Sequence, residues 1–212
     1  MALNDINSWS DPQIAEALAP FDVAPDATAL RCVRKYMTVL ALWNAKVSLT
    51  SIAGVREALQ RHFGESMFAA RAVPIAGGRL ADVGTGAGFP GLALKIAVPG
   101  LQVSLIESSV KKAAFLAEVV RNLELSGVFI LRQRTEELTL SPKADWIAAR
   151  AVGHHEDLLA WARGNLAPGG RVVLWLGAAD AGKLREMRAW SWKEPIPLPQ
   201  SRDRVLQVGN PK

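Results

Sequence analysis

The amino-acid sequence predicts an α/β fold, in which a mostly parallel sheet carries helices on both of its faces. From Arg79 onward, short apolar runs alternate with helical segments, which is the pattern of β-α-β units. The first apolar run leads through a glycine-rich turn into a helix. Residues 11–75 read as helical, so we expect residues 1–78 to form a helical cap packed on a core of residues 79–212.

The cap is predicted to contain several helices. Asp11-Pro12 is a typical helix start. Apolar residues at steps of three and four predict an amphipathic helix from about Ala27 to Ala45. Leu49-Thr50-Ser51 interrupts this pattern, and a further helix is predicted over Val55 to Val73, before Pro74.

The core is predicted from short apolar runs bounded by glycine, proline and polar residues. The predicted strands are Leu80 to Val83, Leu101 to Ile106, Val128 to Leu131, Asp145 to Ala149, Arg171 to Leu176 and Arg204 to Val208. The helices between them are predicted over Pro90 to Ala97, from Ser109 to about Leu123, over Glu156 to Leu166 and over Ala181 to Trp190.

The turn after the first strand carries the strongest functional signal. It lies in the string LADVGTGAGFPG, residues 80–91, where Gly84, Gly86 and Gly88 permit positive φ and let a ligand approach the backbone. Glu107 ends the next strand, where a carboxylate can accept both hydroxyls of a ribose. The pattern predicts a cofactor that contains adenosine. The alternatives are a tight strand-to-helix turn and a surface glutamate.

Composition indicates a soluble cytoplasmic protein with a preference for polyanions. The chain has 212 residues, and 25 lysines and arginines against 20 acidic residues give a net charge of +5. No run of eighteen apolar residues occurs, and the N-terminus does not resemble a signal peptide. The single cysteine, Cys32, excludes an internal disulfide and a thiolate metal cluster. We expect no metal site, no membrane contact and a monomer.

Further motifs give the chain a family resemblance. They are GTGAGFPG, Trp43-Asn44, Leu49-Thr50-Ser51, Arg61-His62, Glu107-Ser108, Lys111-Lys112, Phe115-Leu116, Arg134-Thr135-Glu136-Glu137 and Arg150-Ala151. With these the chain resembles, over roughly Tyr36 to Leu176, the glucose-inhibited division protein B family, whose members methylate N7 of a guanine in small-subunit (16S) ribosomal RNA. The resemblance implies a Rossmann-like class I methyltransferase fold with a seven-stranded sheet, and S-adenosyl-L-methionine as the cofactor.

The resemblance also implies which residues bind the cofactor. Gly84 and Phe89 would line its pocket, Glu107 would bind the ribose, Thr135-Glu136 would flank the adenine, and Arg150 would lie by the reactive end as the catalytic residue. These positions follow the carboxyl ends of predicted strands, the edge where open α/β sheets bind ligands. The expected contacts are Asp82, Gly84, Thr85, Gly86, Gly88, Phe89, Glu107, Ser108, Thr135, Glu136 and Arg150.

Asp82 lies inside the first strand, and a buried acid there needs a partner, either the amides of the turn or the ammonium of the ligand. The chain departs from the family pattern at Ser48, at Glu65-Ser66 and at Leu176-Gly177, where the family often has Asn, Asp-Ser and Lys-Gly. These departures lie away from the glycine turn, so we expect them to affect RNA contact more than chemistry.

Residues that the sequence lacks also favour N7 as the target. Enzymes of this class that methylate exocyclic amines usually carry an Asp/Asn-Pro-Pro-aromatic motif after strand four, where this chain has residues 148–151, AARA. Methylation of a base at C5 needs a nucleophilic cysteine, whereas Cys32 lies on a cap helix. Guanine N7 carries a lone pair, so its methylation requires no general base. Arg150 could contact the base or the cofactor carboxylate; the alternative is a structural salt bridge.

Basic residues predict where RNA binds. The expected RNA contacts are Arg61, His62, Lys111, Lys112, Arg132 and Arg134. A solvated helix face is an equal explanation for each cluster. The partner implied is ribosomal RNA or the small ribosomal subunit.

Two other functions are compatible with parts of the sequence. A non-catalytic RNA-binding or ribosome-assembly protein could use the same scaffold. A small NAD-dependent oxidoreductase would share the glycine turn and Glu107, but the chain lacks a Tyr-x-x-x-Lys pair, and its one tyrosine, Tyr36, precedes the sheet.

Overall fold

The computed structural model describes residues 2–150 and 153–212. Ala151, the second residue of the Arg150-Ala151 pair, lies outside the described residues. No helix within the described ranges is long and apolar enough to cross a membrane.

The cap contains a short 3-10 helix, Leu3–Ser8, followed by helices α1, Asp11–Leu18, and α2, Ala27–Asn44. Ser10 and Gln13 form a reciprocal capping box at the start of α1, and the Asp26 carboxylate accepts from the Ala29 amide at the start of α2. The prediction of an amphipathic helix from about Ala27 is therefore confirmed.

The predicted helix over Val55 to Val73 is also present, but it is not uniform. It consists of α3, Val55–Ala58, a π-helical segment, Leu59–Gly64, and α4, Glu65–Ala72. Inside an α-helix a π-helical turn adds a residue to the backbone ring and re-aims the side chains that follow it. No residue pattern predicts this segment, although it decides where Glu65 lies.

The core follows the predicted alternation of strands and helices. Its elements are β1, Gly78–Val83, α5, Gly91–Ala97, β2, Leu101–Ile106, α6, Val110–Asn122, β3, Val128–Leu131, β4, Ala144–Arg150, α7, His155–Asn165, β5, Leu166–Gly177, α8, Ala178–Arg185, β6, Trp190–Trp192, β7, Ile196–Pro197, and β8, Arg204–Pro211. The predicted helix over Ala181 to Trp190 ends earlier, at Arg185, because Trp190–Trp192 pairs with β8 as a strand.

The strands form one sheet in the order β3-β2-β1-β4-β5-β8-β6. The pairs from β3 to β5 are parallel, and β8 runs antiparallel to β5. The main path thus has seven strands, and the two-residue strand β7 adds an eighth beside β8. The prediction of a mostly parallel sheet between helices is confirmed.

Two apolar clusters cover the two faces of the sheet. One joins residues of β1 and β2, such as Leu80 and Val103, to the cap helices and to α5 and α6. The other joins alternate residues of the same strands, such as Ala81, to α7 and α8. The first cluster runs without a break from cap to core, and the division at residue 78 stays a prediction.

Candidate functional site

The glycine turn lies where β1 ends, between the C-terminal ends of its neighbours β2 and β4. Gly84, Gly86 and Gly88 have φ values of 63°, 57° and 85°, a region that residues with a side chain rarely adopt. The amides of Gly84 and Thr85 both donate to the Ile106 oxygen, at 3.0 and 3.2 Å. The turn is therefore fastened to β2 by its backbone.

Asp82 is fully buried beneath this turn. Its Oδ2 accepts hydrogen bonds from the Thr85 hydroxyl at 2.5 Å and from the Gly91 amide at 2.7 Å. A Cβ at Gly91 would lie 2.7 Å from the same oxygen, so only glycine permits this approach. Asp82 Oδ1 is buried and has no hydrogen-bond partner in the described structure. One oxygen organises the turn, and the other is available to a donor from outside.

Burial raises the pKa of Asp82 to about 7, against hydrogen bonds from Thr85 and Gly91 that lower it. The folded state therefore binds the Asp82 proton more tightly than the unfolded state does. The contribution of this Asp82 proton to the free energy of unfolding is complete below about pH 4 and is lost as the pH rises to about 7.

We accordingly expect the free energy of unfolding of wild type, minus that of Asp82→Asn, to fall between about pH 4 and pH 7 and to level off above it. Urea denaturation at a series of pH values measures this difference. A difference that stays constant with pH would show that Asp82 does not titrate in this window.

Glu107 connects the glycine turn to the start of α6. Its Oε2 accepts from the Gly86 amide at 3.1 Å, and its Oε1 accepts from the Ser109 amide at 2.8 Å. Each carboxylate oxygen has further lone-pair capacity, so these bonds leave Glu107 able to accept from a ligand. Glu107 thus lies at the strand end where the sequence predicts it.

Phe89 lies in an aromatic stack that joins the turn to the cap. Its ring is parallel to Tyr36, with centroids 5.1 Å apart, and to His62, at 4.6 Å, while Phe63 meets it edge-on at 5.0 Å. The Tyr36 hydroxyl donates to the Ala87 oxygen. Phe89 is buried in this stack, and its predicted part in lining the cofactor pocket stays a prediction.

His62, a predicted RNA contact, is buried, and that contact stays a prediction. Its side chain stacks on Phe89, and its Nε2 lies 2.9 Å from the Thr50 hydroxyl. Burial, together with the nearby charges of Arg150 and Arg61, lowers the pKa of His62 to about 3. His62 is therefore a neutral, enclosed residue and carries no charge toward phosphate.

Arg150 ends β4 and reaches from the sheet edge to the cap. Its Nη1 donates to the Arg61 backbone oxygen at 2.5 Å, and its Nη2 lies 3.8 Å from Glu65 Oε2. Glu65 Oε1 accepts from Nη2 and Nε of Arg204 at 2.6 and 3.2 Å. Burial lowers the pKa of Arg150, and Glu65 is the nearest charge that opposes this effect. The salt bridge that the sequence left open is present, and the role at the reactive end stays a prediction.

The other predicted site residues lie on neighbouring elements at the same edge. Thr135 and Glu136 form a 3-10 turn after β3, Thr135 half-buried and Glu136 exposed. Ser108 is exposed between Glu107 and α6. The predicted RNA contacts Lys111, Arg132 and Arg134 are exposed, Lys112 is half-buried, and Arg61 is half-buried and pairs with Glu57 at 3.2 Å.

Sequence reasoning missed three residues of this region: Tyr36, Glu65 and Arg204. Glu65, a departure from the family pattern, has its carboxylate buried between two arginines, and its expected effect on RNA contact stays a prediction. Tyr36 could have been suspected as the one tyrosine in an apolar helix stripe, since a buried hydroxyl needs a partner. Arg204 carries no signal in the sequence, because its partner lies 139 positions away. No group of three potential metal ligands occurs in residues 2–150 and 153–212.

Two of the solved structures that resemble this fold are named as a methylase and a methyltransferase. A ribosomal protein L11 methylase from Lactobacillus delbrueckii subsp. bulgaricus aligns with a TM-score of 0.60 and 15% identity, covering 72% of this chain and 79% of that one. A SAM-dependent methyltransferase from Aquifex aeolicus also has a TM-score of 0.60 and 15% identity, covering 71% and 92%. At such identities the similarity concerns the fold, which is that of class I methyltransferases.

Sequence comparison identifies the family. Residues 29–194 match the family described as rRNA small subunit methyltransferase G. The protein named ribosomal RNA small subunit methyltransferase G from Myxococcus xanthus (strain DK1622) is 39% identical over 174 residues, 81% of this chain and 80% of the relative. The protein of the same name from Stenotrophomonas maltophilia (strain K279a) is 36% identical over 174 residues, 82% and 81% of the two chains. This chain therefore belongs to the rRNA small subunit methyltransferase G family.

Proposed function

We propose that this protein transfers the methyl group of S-adenosyl-L-methionine to N7 of a guanine in the ribosomal RNA of the small subunit. The observation that carries the proposal is the meeting of Asp82, Glu107 and Arg150 at one sheet edge, in a chain of this family. The relatives are named for small-subunit ribosomal RNA. A solved glycopeptide N-methyltransferase, MtfA, with 15% identity and a TM-score of 0.53, holds S-adenosyl-L-methionine.

The site residues fit such a cofactor in chemistry and in space. The buried Asp82 Oδ1 without a partner suits the ammonium of the methionine moiety. Glu107 retains lone pairs for the ribose hydroxyls. The turn at Gly86 is open, since a Cβ there would have nothing nearer than 3.8 Å. The further contacts we propose are Gly84, Thr85, Gly88, Phe89, Ser108, Thr135, Glu136 and Arg150.

The chemistry requires positioning more than acid-base catalysis. When bound, the cofactor supplies a methyl group on a positively charged sulfur. Guanine N7 has a lone pair and no proton to lose, so the protein needs no general base. The task of the chain is then to orient the base and exclude water, which can supply most of the rate. We assign Arg150 to hold the base or the cofactor carboxylate at the reactive end.

Two measurements test the proposal in sequence. Isothermal titration compares S-adenosyl-L-methionine with NADH, and transfer of a tritiated methyl group is then followed on small subunits that lack the modification. We expect the protein to bind S-adenosyl-L-methionine and not NADH. We also expect the tritium label to be recovered from the RNA as N7-methylguanine. NADH binding without any response to S-adenosyl-L-methionine would contradict the proposal. Cofactor binding without transfer would favour an assembly protein on this scaffold.

The exposed basic residues near the site provide a test of RNA binding. Lys111 lies in the first turn of α6, at the site edge, and Arg121 lies in the last turn of the same helix, at the opposite edge. Both are exposed, and neither forms an ion pair within the described residues.

We expect Lys111→Glu to weaken binding to the small subunit and to lower the slope of log affinity against log salt by about one for each lost phosphate contact. Arg121→Glu is the matched control, since it lies ten residues further along the same helix, about 15 Å from Lys111. Binding measured across a salt series decides the question. Equal losses in both variants would indicate a general charge effect.

The oligomeric state, the cellular location and the division into domains are also proposals. We infer a protein that acts as a monomer in the bacterial cytoplasm, with residues 1–78 as the helical cap and residues 79–212 as the methyltransferase core.

A further inference from the structure

Glu65 is a buried carboxylate that the proposed mechanism does not use. It is the first residue of α4, directly after the π-helical segment, and its side chain is 2% exposed. It lies between Arg204 of β8 and Arg150 of β4, so it connects the cap to both of these strands. A buried carboxylate is retained only with partners, and Glu65 has two.

The two arginines hold Glu65 in different ways. Arg204 donates to Oε1 through Nη2 at 2.6 Å and through Nε at 3.2 Å, which are hydrogen bonds. Arg150 Nη2 lies 3.8 Å from Oε2, which is beyond hydrogen-bond distance but within range of charge attraction. Arg204 therefore anchors the carboxylate, while Arg150 is drawn toward it without using its donors.

The donors of Arg150 are correspondingly free. A guanidinium carries five N–H groups, and in the described structure Arg150 donates one hydrogen bond to protein, to the Arg61 oxygen. Its side chain is 16% exposed, so it is not sealed in the interior. One carboxylate also faces two guanidinium groups at this point.

We propose that Glu65 is a positioning residue, whose carboxylate holds the Arg150 guanidinium at the end of β4 with its donors free for an anionic or acceptor group of the bound ligands. The inference rests on the proposed function for the part that Arg150 plays. Glu65 then does more than stabilise the fold. Through Glu65, helix α4 positions Arg150 at the reactive end.

The first test compares wild type with Glu65→Gln and Glu65→Asp in methyl transfer to small subunits. Because the amide lacks the charge that draws Arg150 into place, we expect Glu65→Gln to lower kcat by about ten- to a hundredfold. Glu65→Asp keeps the charge and should regain part of this loss. The KM for S-adenosyl-L-methionine should change far less than kcat in both.

The matched control is Asp145→Asn, which makes the same change in another arginine-carboxylate pair. Asp145 lies near the start of β4 and pairs with Arg79 at 3.2 Å, at the opposite end of the strand from Arg150. We expect Asp145→Asn to retain kcat within about twofold, the usual scatter between uncoupled sites. Equal losses of kcat in Glu65→Gln and Asp145→Asn, or full activity in Glu65→Gln, would overturn the assignment.

A second test needs no methyl transfer. The free energies of unfolding of wild type, Glu65→Gln, Arg150→Ala and the double variant form a double-mutant cycle, measured by urea denaturation. We expect non-additive effects, because Arg150 loses its anionic neighbour in the Glu65→Gln background. Additive effects would overturn the proposed contact. If wild type methylates no small-subunit substrate, the proposed function fails, while the cycle still reports whether Glu65 holds Arg150.

Discussion

Replacement of Arg150 by alanine is expected to abolish methyl transfer while the protein remains folded. Loss of one preorganised donor at a reacting centre commonly costs about a hundred- to a thousandfold in kcat. Arg150 presents a charged, largely buried guanidinium at the edge where Asp82 and Glu107 also lie. Assays of transfer at saturating cofactor measure the effect. Full activity in this variant would remove Arg150 from the site.

The fold should survive because Glu65 keeps a partner. In Arg150→Ala the Glu65 carboxylate still accepts two hydrogen bonds from Arg204, so no unpaired buried charge results. Arg79→Ala is the matched control, since Arg79 also pairs with a carboxylate but lies at the opposite sheet edge. We expect Arg79→Ala to retain transfer. Circular dichroism and urea denaturation of both variants test whether each is folded.

Replacement of Gly88 by alanine is expected to lower the free energy of unfolding by about 2 to 5 kcal/mol. Its φ of 85° is strained for any residue with a Cβ. A Cβ at this position would also collide with the Tyr36 hydroxyl, and it would lie 2.7 Å from Leu92 Cδ1 and 3.1 Å from Leu116 Cδ2. Backbone strain and overpacking therefore add at a single site, and urea denaturation measures the sum.

Gly86→Ala separates the two causes. Gly86 lies in the same turn at a φ of 57°, but its nearest neighbour to a new Cβ is the Gly84 oxygen at 3.8 Å. Only backbone strain remains, so we expect a cost of about 1 to 2 kcal/mol. If the two variants lose the same stability, the contact between Gly88 and the cap contributes nothing.

The fold was predictable because hydrophobic periodicity and turn residues are local signals. The strands from Leu80 to Leu176 and the helix at Ala27 follow from them, and the glycine turn with Glu107 follows from the chemistry of its ligand. The burial of His62 could not be predicted, because a histidine beside an arginine in the sequence resembles a surface pair. The ion pair of Glu65 could not be predicted either, because its partner, Arg204, is distant in sequence.

The aromatic contact of Tyr36 bears on how this protein can be divided. Its ring lies against Phe89, its hydroxyl holds the Ala87 oxygen, and it occupies the space that a side chain at residue 88 would need. One wall of the turn is thus supplied by a helix that precedes the sheet in the chain. A fragment that starts at residue 79 would contain every strand except the first residue of β1, yet it would lack this wall. We expect the glycine turn to lose stability in such a fragment, because Tyr36 packs on Phe89 and binds the Ala87 oxygen.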